Sequence, residues 1–204
     1  AINKLMFNGT AFCDGICSDT PHTSFHSSVY MLAFGAVAER NIMATWKYIR
    51  SRINPRSVTW PPPPPLDEHD GMPCGTYVSQ FVLQALYKGN SADHGQTALS
   101  VLTSNAKNTW TNMIHQGATT TMEMWTPDEK PNLTWSHPWS ASPGFIIAWF
   151  LFGIQALAPG WSRVAIKPAP GTLTHGEYKL PTVKGFIVVS FASDGDSSFH
   201  LSVS

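Results

Sequence analysis

The sequence predicts a mainly α chain with a β C-terminal part. Apolar residues recur at helical spacing up to about residue 154. After Gly160 the period changes to short, β-branched or alternating runs, and Pro, Gly and Asp punctuate them as turns. Composition agrees with a folded chain: 43% of the 204 residues are apolar and 13% charged. That charged share is about half the usual ~25%, so enough apolar surface is available to offset the entropy of ordering.

Each element has its own signal. Phe25, Val29, Leu32, Ala33 and Ala36 fall on one helical face, and Ile42, Trp46, Ile49 and Ile53 repeat the pattern. "INPRS" supplies a proline stop for the second helix. "SVTWPPPPPLDEHDG" holds five consecutive prolines, which exclude helix interior and central strand. It is expected to be an extended polyproline spacer between helices, with a proline-recognition ligand as the sharper alternative. Val78, Phe81, Val82, Ala85 and Leu86 make a third stripe, closed by Gly89 and Asn90. Ser91 is expected to cap a fourth helix carrying Ala98, Val101 and Leu102, followed by a short helix from Trp110 to Ile114.

"SPGFIIAWFLFG" predicts a further helix with Ser142 as N-cap and Pro143 in its first turn. Its apolar residues lie all round, so neighbours are expected to bury most of it. "WSRVAIKP", "GFIVVSFA" and "SSFHLSVS" are expected strands of an antiparallel sheet with one solvated face. In the last of them Phe199, Leu201 and Val203 face one way, and Ser198, His200 and Ser202 the other. Helices joined by polar loops fit a bundle, a solenoid or a closed helical barrel, although the chain has no clear repeat. The expected boundary divides 1–154 from 155–204.

Several function classes lack support. Net charge is zero with no basic stripe, so nucleic acid is not an expected partner. The longest apolar run, Phe145 to Phe152, is far below the roughly 20 residues of a membrane span. There is no GxSxG elbow, phosphate-cradling glycine loop or HExxH pair. His22 and His26 sit four apart without an evident third ligand, so no metal or other cofactor is expected. Cys13 and Cys17 in "CDGIC" form either a small loop disulfide or, with Cys74, three unconnected thiols. Sequons at Asn8 and Asn132, with low charge, favour a secreted, extracellular glycoprotein. The opening "AINKLMFNGT" suggests a processed or truncated polypeptide.

Aromatic faces pack on the C–H surfaces of sugars while amides and hydroxyls bond their OH groups. Eight Trp, eight His and many Ser, Thr and Asn therefore point to neutral polar ligands. Two stretches concentrate that chemistry. In "GATTTMEMW" the carboxylate of Glu123 stands among Met122, Met124 and Trp125, an apolar setting expected to raise its pKa and suit acid–base work. In "NLTWSHPWSASP" His137 lies between the indoles of Trp135 and Trp139.

"TWTNMIHQGATTTMEMW", "PNLTWSHPWSASPGFIIAWFLFGIQALAPGWSRVAIKP", "HTSFHSSVYMLAFG" and "GTYVSQFVLQALYKGN" together resemble the C-terminal half of α-L-rhamnosidases of glycoside hydrolase family 78. The resemblance implies a partial (α/α)6 six-hairpin barrel followed by the start of an antiparallel β-sandwich. It also implies an inverting hydrolase that releases terminal α-L-rhamnose from glycosides or polysaccharides. Glu123 matches the family's general base and His137 its sugar-contacting histidine, with Trp125, Trp135 and Trp139 as further substrate-binding candidates. The family's acid-bearing motif has no counterpart here. The chain is therefore expected to be inactive alone and to need the rest of its polypeptide or a complementary chain. The alternatives are a non-catalytic carbohydrate-binding or scaffold module, or a six-hairpin glycosidase of other sugar preference.

Overall fold

A computed structural model describes residues 1–19, 21–53, 71–194 and 198–204. The proline run and the "INPRS" stop lie outside the described residues, apart from Ile53 and Gly71. Helix α1 covers Ile2–Leu5, α2 Phe25–Ala33, α3 Glu39–Ser51, α4 Thr76–Gly89, α5 Gln96–Leu102, α6 Trp110–His115 and α7 Pro143–Ile146. A single π-helical stretch, Ile147–Leu151, continues α7. Most of the helical stripes read from spacing become the core: Val29, Leu32, Trp46, Ile49, Val82, Ala85, Leu86 and Val101 are buried, whereas Ala36 lies beyond the end of α2 and is exposed.

Pairwise contacts fix the helix directions. The end of α4 meets the end of α2, where Lys88 Nζ donates to the Ala33 carbonyl at 2.6 Å. Earlier in both helices, Phe81 packs edge-on to Tyr30 with centroids 5.1 Å apart. The two helices are therefore parallel. Helix α3 returns packed against both, and the Trp46 indole N–H donates to the Leu86 carbonyl at 3.0 Å. Gly89 is buried against Trp46 and Leu32, where a Cβ would lie 2.5 Å from the indole. The segment from Trp139 to Phe150 runs parallel to α4 as well, since Tyr77 contacts Trp139 and Tyr87 stacks on Phe150 at 5.1 Å. Three parallel elements, two of them packed on the returning α3, make part of an α/α arrangement.

One helix-end expectation is corrected, and another holds in position only. Ser91 lies within a 3-10 turn, Ser91–Asp93, whose cap is the Asn90 side chain, accepting from Ala92 N–H. Helix α5 begins only at Gln96, and the Asp93 carboxylate accepts the N–H and hydroxyl of Thr97. Ser142 does hold the N-cap position of α7, just before Pro143, but its backbone is helical and its side chain makes no cap bond. Its hydroxyl oxygen is buried without a partner. The α7 segment is also less enclosed than expected: Ile146, Ala148 and Leu151 are buried, whereas Trp149 is 47% exposed.

The β part is antiparallel throughout its described length. Strand β1, Ile154–Ala156, pairs with β2, Val164–Ile166. A second sheet has the order β3-β4-β5, with β3 at His175–Thr182, β4 at Gly185–Ser193 and β5 at Phe199–Val203. β1 begins six residues before Gly160, because Ile154 packs with Leu99, Leu151, Phe152, Val189 and Phe191 in one apolar cluster. That cluster joins the helices to the sheet. Gly153, at the turn into β1, takes φ +67° and lies against the backbone of Lys167 and Pro168. Edge strand β5 keeps the expected alternation, but its apolar side chains remain partly in solvent: Phe199 is 48% and Leu201 42% exposed.

Candidate active site

Glu123 lies at the N-terminal end of α4. The Thr76 hydroxyl, in the first turn of that helix, donates to the Glu123 carbonyl at 2.5 Å. Two extended stretches run antiparallel here. Glu123 N–H donates to the Thr134 carbonyl at 2.9 Å, and His137 N–H to the Thr121 carbonyl at 2.8 Å. Threonine hydroxyls fasten the pair: Thr120 Oγ1 donates to the Trp135 carbonyl and Thr121 Oγ1 to that of His137. The Gly-Ala-Thr-Thr-Thr run is thus a side-chain clamp between "TTTME" and "TWSH". Below it, Ser140 Oγ donates to the Met122 carbonyl, closing the segment onto buried Met122.

The Glu123 residue is 8% exposed. Its Oε1 pairs with Lys130 Nζ at 2.5 Å, and its Oε2 accepts the Thr134 N–H at 3.2 Å. The expectation of a raised pKa is overturned. The bond from Lys130, then the Thr134 N–H, holds this carboxyl below its ordinary value, outweighing the opposing effect of burial. Glu123 is therefore ionised at neutral pH. A carboxylate has about four lone-pair positions, and two are engaged here, so acceptor capacity remains.

Trp125 does not fit the role of a sugar platform. It is 1% exposed, its indole N–H donates to the Cys74 carbonyl at 2.7 Å, and its ring meets Trp110 edge-on at 5.2 Å. It is a core residue that anchors the Glu123 segment to the approach to α4. Trp125→Phe should lower stability by about 2–3 kcal/mol, since it strips a buried carbonyl of its donor and leaves a void. Thermal unfolding of the full-length protein checks this.

Trp135 and Trp139, by contrast, are each 46% exposed. The His137 ring lies 4.7 Å from that of Trp139. From there a row of rings crosses the parallel elements: Trp139 to Tyr77 at 5.5 Å, Tyr77 to Phe81 at 6.0 Å, Phe81 to Tyr30 at 5.1 Å and to Phe34 at 5.4 Å. Tyr77 was not singled out from sequence, because its helix stripe reads as core. Lys130 was also missed, being seven residues from Glu123 in irregular chain.

The remaining candidates lie elsewhere. Cys13 and Cys17 are joined as a disulfide. Asn8 is exposed and accepts the N–H groups of Thr10 and Ala11, and Asn132 is exposed. His22 Nδ1 is 2.7 Å from Asp14, and no group of three potential metal ligands gathers among the described residues. Burial pushes the Cys74 thiol up to about 12, so it is protonated at neutral pH and is no nucleophile. No helix of the described residues is long and apolar enough to cross a membrane.

Parallel helices with α3 returning against them, and small antiparallel sheets attached, define the chain as a segment of a helical α/α fold with β sheets. Comparison with known proteins gives the family. Residues 66–152 match the bacterial α-L-rhamnosidase six-hairpin glycosidase domain, and residues 153–204 match the bacterial α-L-rhamnosidase C-terminal domain. The chain belongs to the α-L-rhamnosidase family.

Two solved structures share the fold. An α-L-rhamnosidase from Dictyoglumus thermophilum is 19% identical with TM-score 0.73, over 99% of this chain and 21% of that one. A Streptomyces avermitilis α-L-rhamnosidase complexed with L-rhamnose is 19% identical with TM-score 0.68, over 95% of this chain and 18% of that one. The chain thus spans about one fifth of each. No curated protein matches it.

Proposed function

We propose that this chain supplies the general-base half of an inverting glycoside hydrolase that releases terminal α-L-rhamnose. The observation carrying this reading is Glu123: a carboxylate nearly enclosed, ionised by Lys130 and Thr134, and placed beside exposed aromatic side chains. Ionised, it takes a proton from water as the water oxygen attacks the anomeric carbon. A carboxylic acid on the opposite face protonates the leaving oxygen, across the roughly 6.5–9.5 Å that inverting pairs keep for the water. That acid comes from polypeptide outside these 204 residues, and the chain alone does not turn over substrate. Trp135, His137, Trp139 and Tyr77 line the sugar's approach, the rings against C–H faces and the imidazole against a hydroxyl. Secretion, with glycans at Asn8 and Asn132, belongs to the same reading.

A non-catalytic, sugar-binding reading draws on the same pair, since Glu123 is already engaged by Lys130 as in a structural ion pair. The two readings separate on one experiment. The full-length protein is given an aryl α-L-rhamnoside, and the first-formed sugar is followed by proton NMR. The enzyme reading expects β-L-rhamnose to appear before mutarotation, and no turnover by residues 1–204 alone. Rhamnoside binding by the full-length protein without turnover supports the module instead, and α-L-rhamnose as first product rules out inversion.

A further inference from the structure

We propose that Lys130 is a positioning residue for the reaction: its ammonium, held against Glu123 Oε1, sets the orientation of the carboxylate and stabilises its charge. The inference rests on Glu123 acting as the base. The local chain is built to hold Lys130 in place. Before it, the Pro127–Glu129 turn is fixed by Glu129, whose Oε1 accepts both the N–H and the hydroxyl of Thr126. After it, Pro131 has a restricted φ, and Leu133 N–H donates back to the Lys130 carbonyl at 3.1 Å. The turn that carries Lys130 thus starts from the residue after Trp125 and ends at the residue before Thr134, whose N–H holds the other carboxylate oxygen.

Glu123 is consequently gripped at both oxygens by one loop. With Lys130 on Oε1 and a backbone N–H on Oε2, the carboxylate plane is fixed, and the free lone pairs point in set directions. A general base gains from such fixing, because a misplacement of about 1 Å at a reacting group can cost 10²-fold. Among the described residues no other charge is placed against this carboxylate. Asp128 is bonded to Thr126 and feels Lys107, Glu129 is bonded to Thr126, and the buried Cys74 thiol before α4 is protonated. His137, on the facing stretch, contacts Trp139. Lys130 is the charge that acts on Glu123 among the described residues.

The sign of the pH effect follows. Lys130 and Thr134 depress the Glu123 carboxyl in the folded protein, so the base form persists to lower pH than for a free glutamate. Removing the ammonium leaves a nearly enclosed carboxylate with one N–H, and its pKa rises.

The test is the pH profile of kcat/KM toward an aryl α-L-rhamnoside, measured on the full-length protein with Lys130→Met, Lys130→Gln and Lys130→Arg. The charge-removing variants are expected to move the acid limb up by about one pH unit or more. They should also lower plateau kcat about 10-fold, with KM nearly unchanged. Lys130→Gln keeps a donor and serves if Lys130→Met does not fold. Lys130→Arg, which keeps the charge, is expected to hold the limb in place. An acid limb unmoved by loss of the charge, or moved equally by Lys130→Arg, overturns the inference while leaving the base assignment intact. Glu123→Gln, run alongside, separates the two failures: wild-type turnover in that variant removes the base assignment itself and the inference with it.

Discussion

Glu123→Gln in the full-length protein should lower kcat toward an aryl α-L-rhamnoside by about 10²–10⁴-fold, with KM within a few-fold of wild type. The amide keeps the shape of the side chain and bonds at one oxygen but has no proton-accepting power at neutral pH. Ground-state binding, carried in this account by Trp135, His137, Trp139 and Tyr77, is left in place, so the loss falls on the chemical step. Stability will also respond. The amide faces the Lys130 ammonium without its charge, and one of its positions becomes an –NH2 unable to accept from Thr134. Circular dichroism and a thermal scan of the variant therefore accompany the kinetics. A folded variant with kcat lowered as stated separates lost catalysis from lost structure.

The largest expected effect on stability belongs to Gly153→Ala. Gly153 joins the helical part to β1 at φ +67°, and an added Cβ would sit 2.0 Å from the carbonyl carbon and oxygen of Lys167. Both contacts are backbone, so no flexible side chain can move aside. The same contact region carries Lys167 N–H donating to the Gly153 carbonyl at 3.0 Å, which would have to open with any shift. Left-handed strain at a non-glycine residue costs about 1–3 kcal/mol and overpacking a similar amount. Together these give roughly 2–6 kcal/mol, at the junction where the Leu151–Phe152–Ile154 cluster meets the sheet. The expected result is a lower unfolding temperature for the full-length protein and faster proteolysis between residues 153 and 168. An unchanged melting curve would mean that the two parts do not depend on this junction.

Helix positions were legible because burial among packed helices repeats along the chain. Trp46 and Ile49, or Val82 and Leu86, face the core for the same reason that they recur at helical spacing. Helix ends were less legible. Ser142 holds the N-cap position that its side chain suggests, yet its backbone is already helical and the hydroxyl makes no cap bond. Strand β3, "HGEYKLPT", was hidden by polar residues and Pro181, which an edge strand accommodates but a central strand would not.

At the site, the resemblance singled out Glu123 as a candidate, and its local neighbours suggested the wrong electrostatics. Met122, Met124 and Trp125 are adjacent in sequence, but Lys130 and Thr134 reach the carboxylate through a turn that spacing does not disclose. Trp125 was misread for a related reason. Its burial depends on Cys74, 51 residues earlier, which no local pattern reveals.

The base role of Glu123 is tested most directly by rescue with an external nucleophile. Glu123→Ala in the full-length protein leaves space where the base and its water stood. With an activated α-L-rhamnoside and added azide, a base role for Glu123 predicts a turnover rate that climbs with azide concentration and a β-L-rhamnosyl azide product, inverted as the water product is. A Glu123→Ala variant that hydrolyses the substrate at the wild-type rate, indifferent to azide, would contradict it.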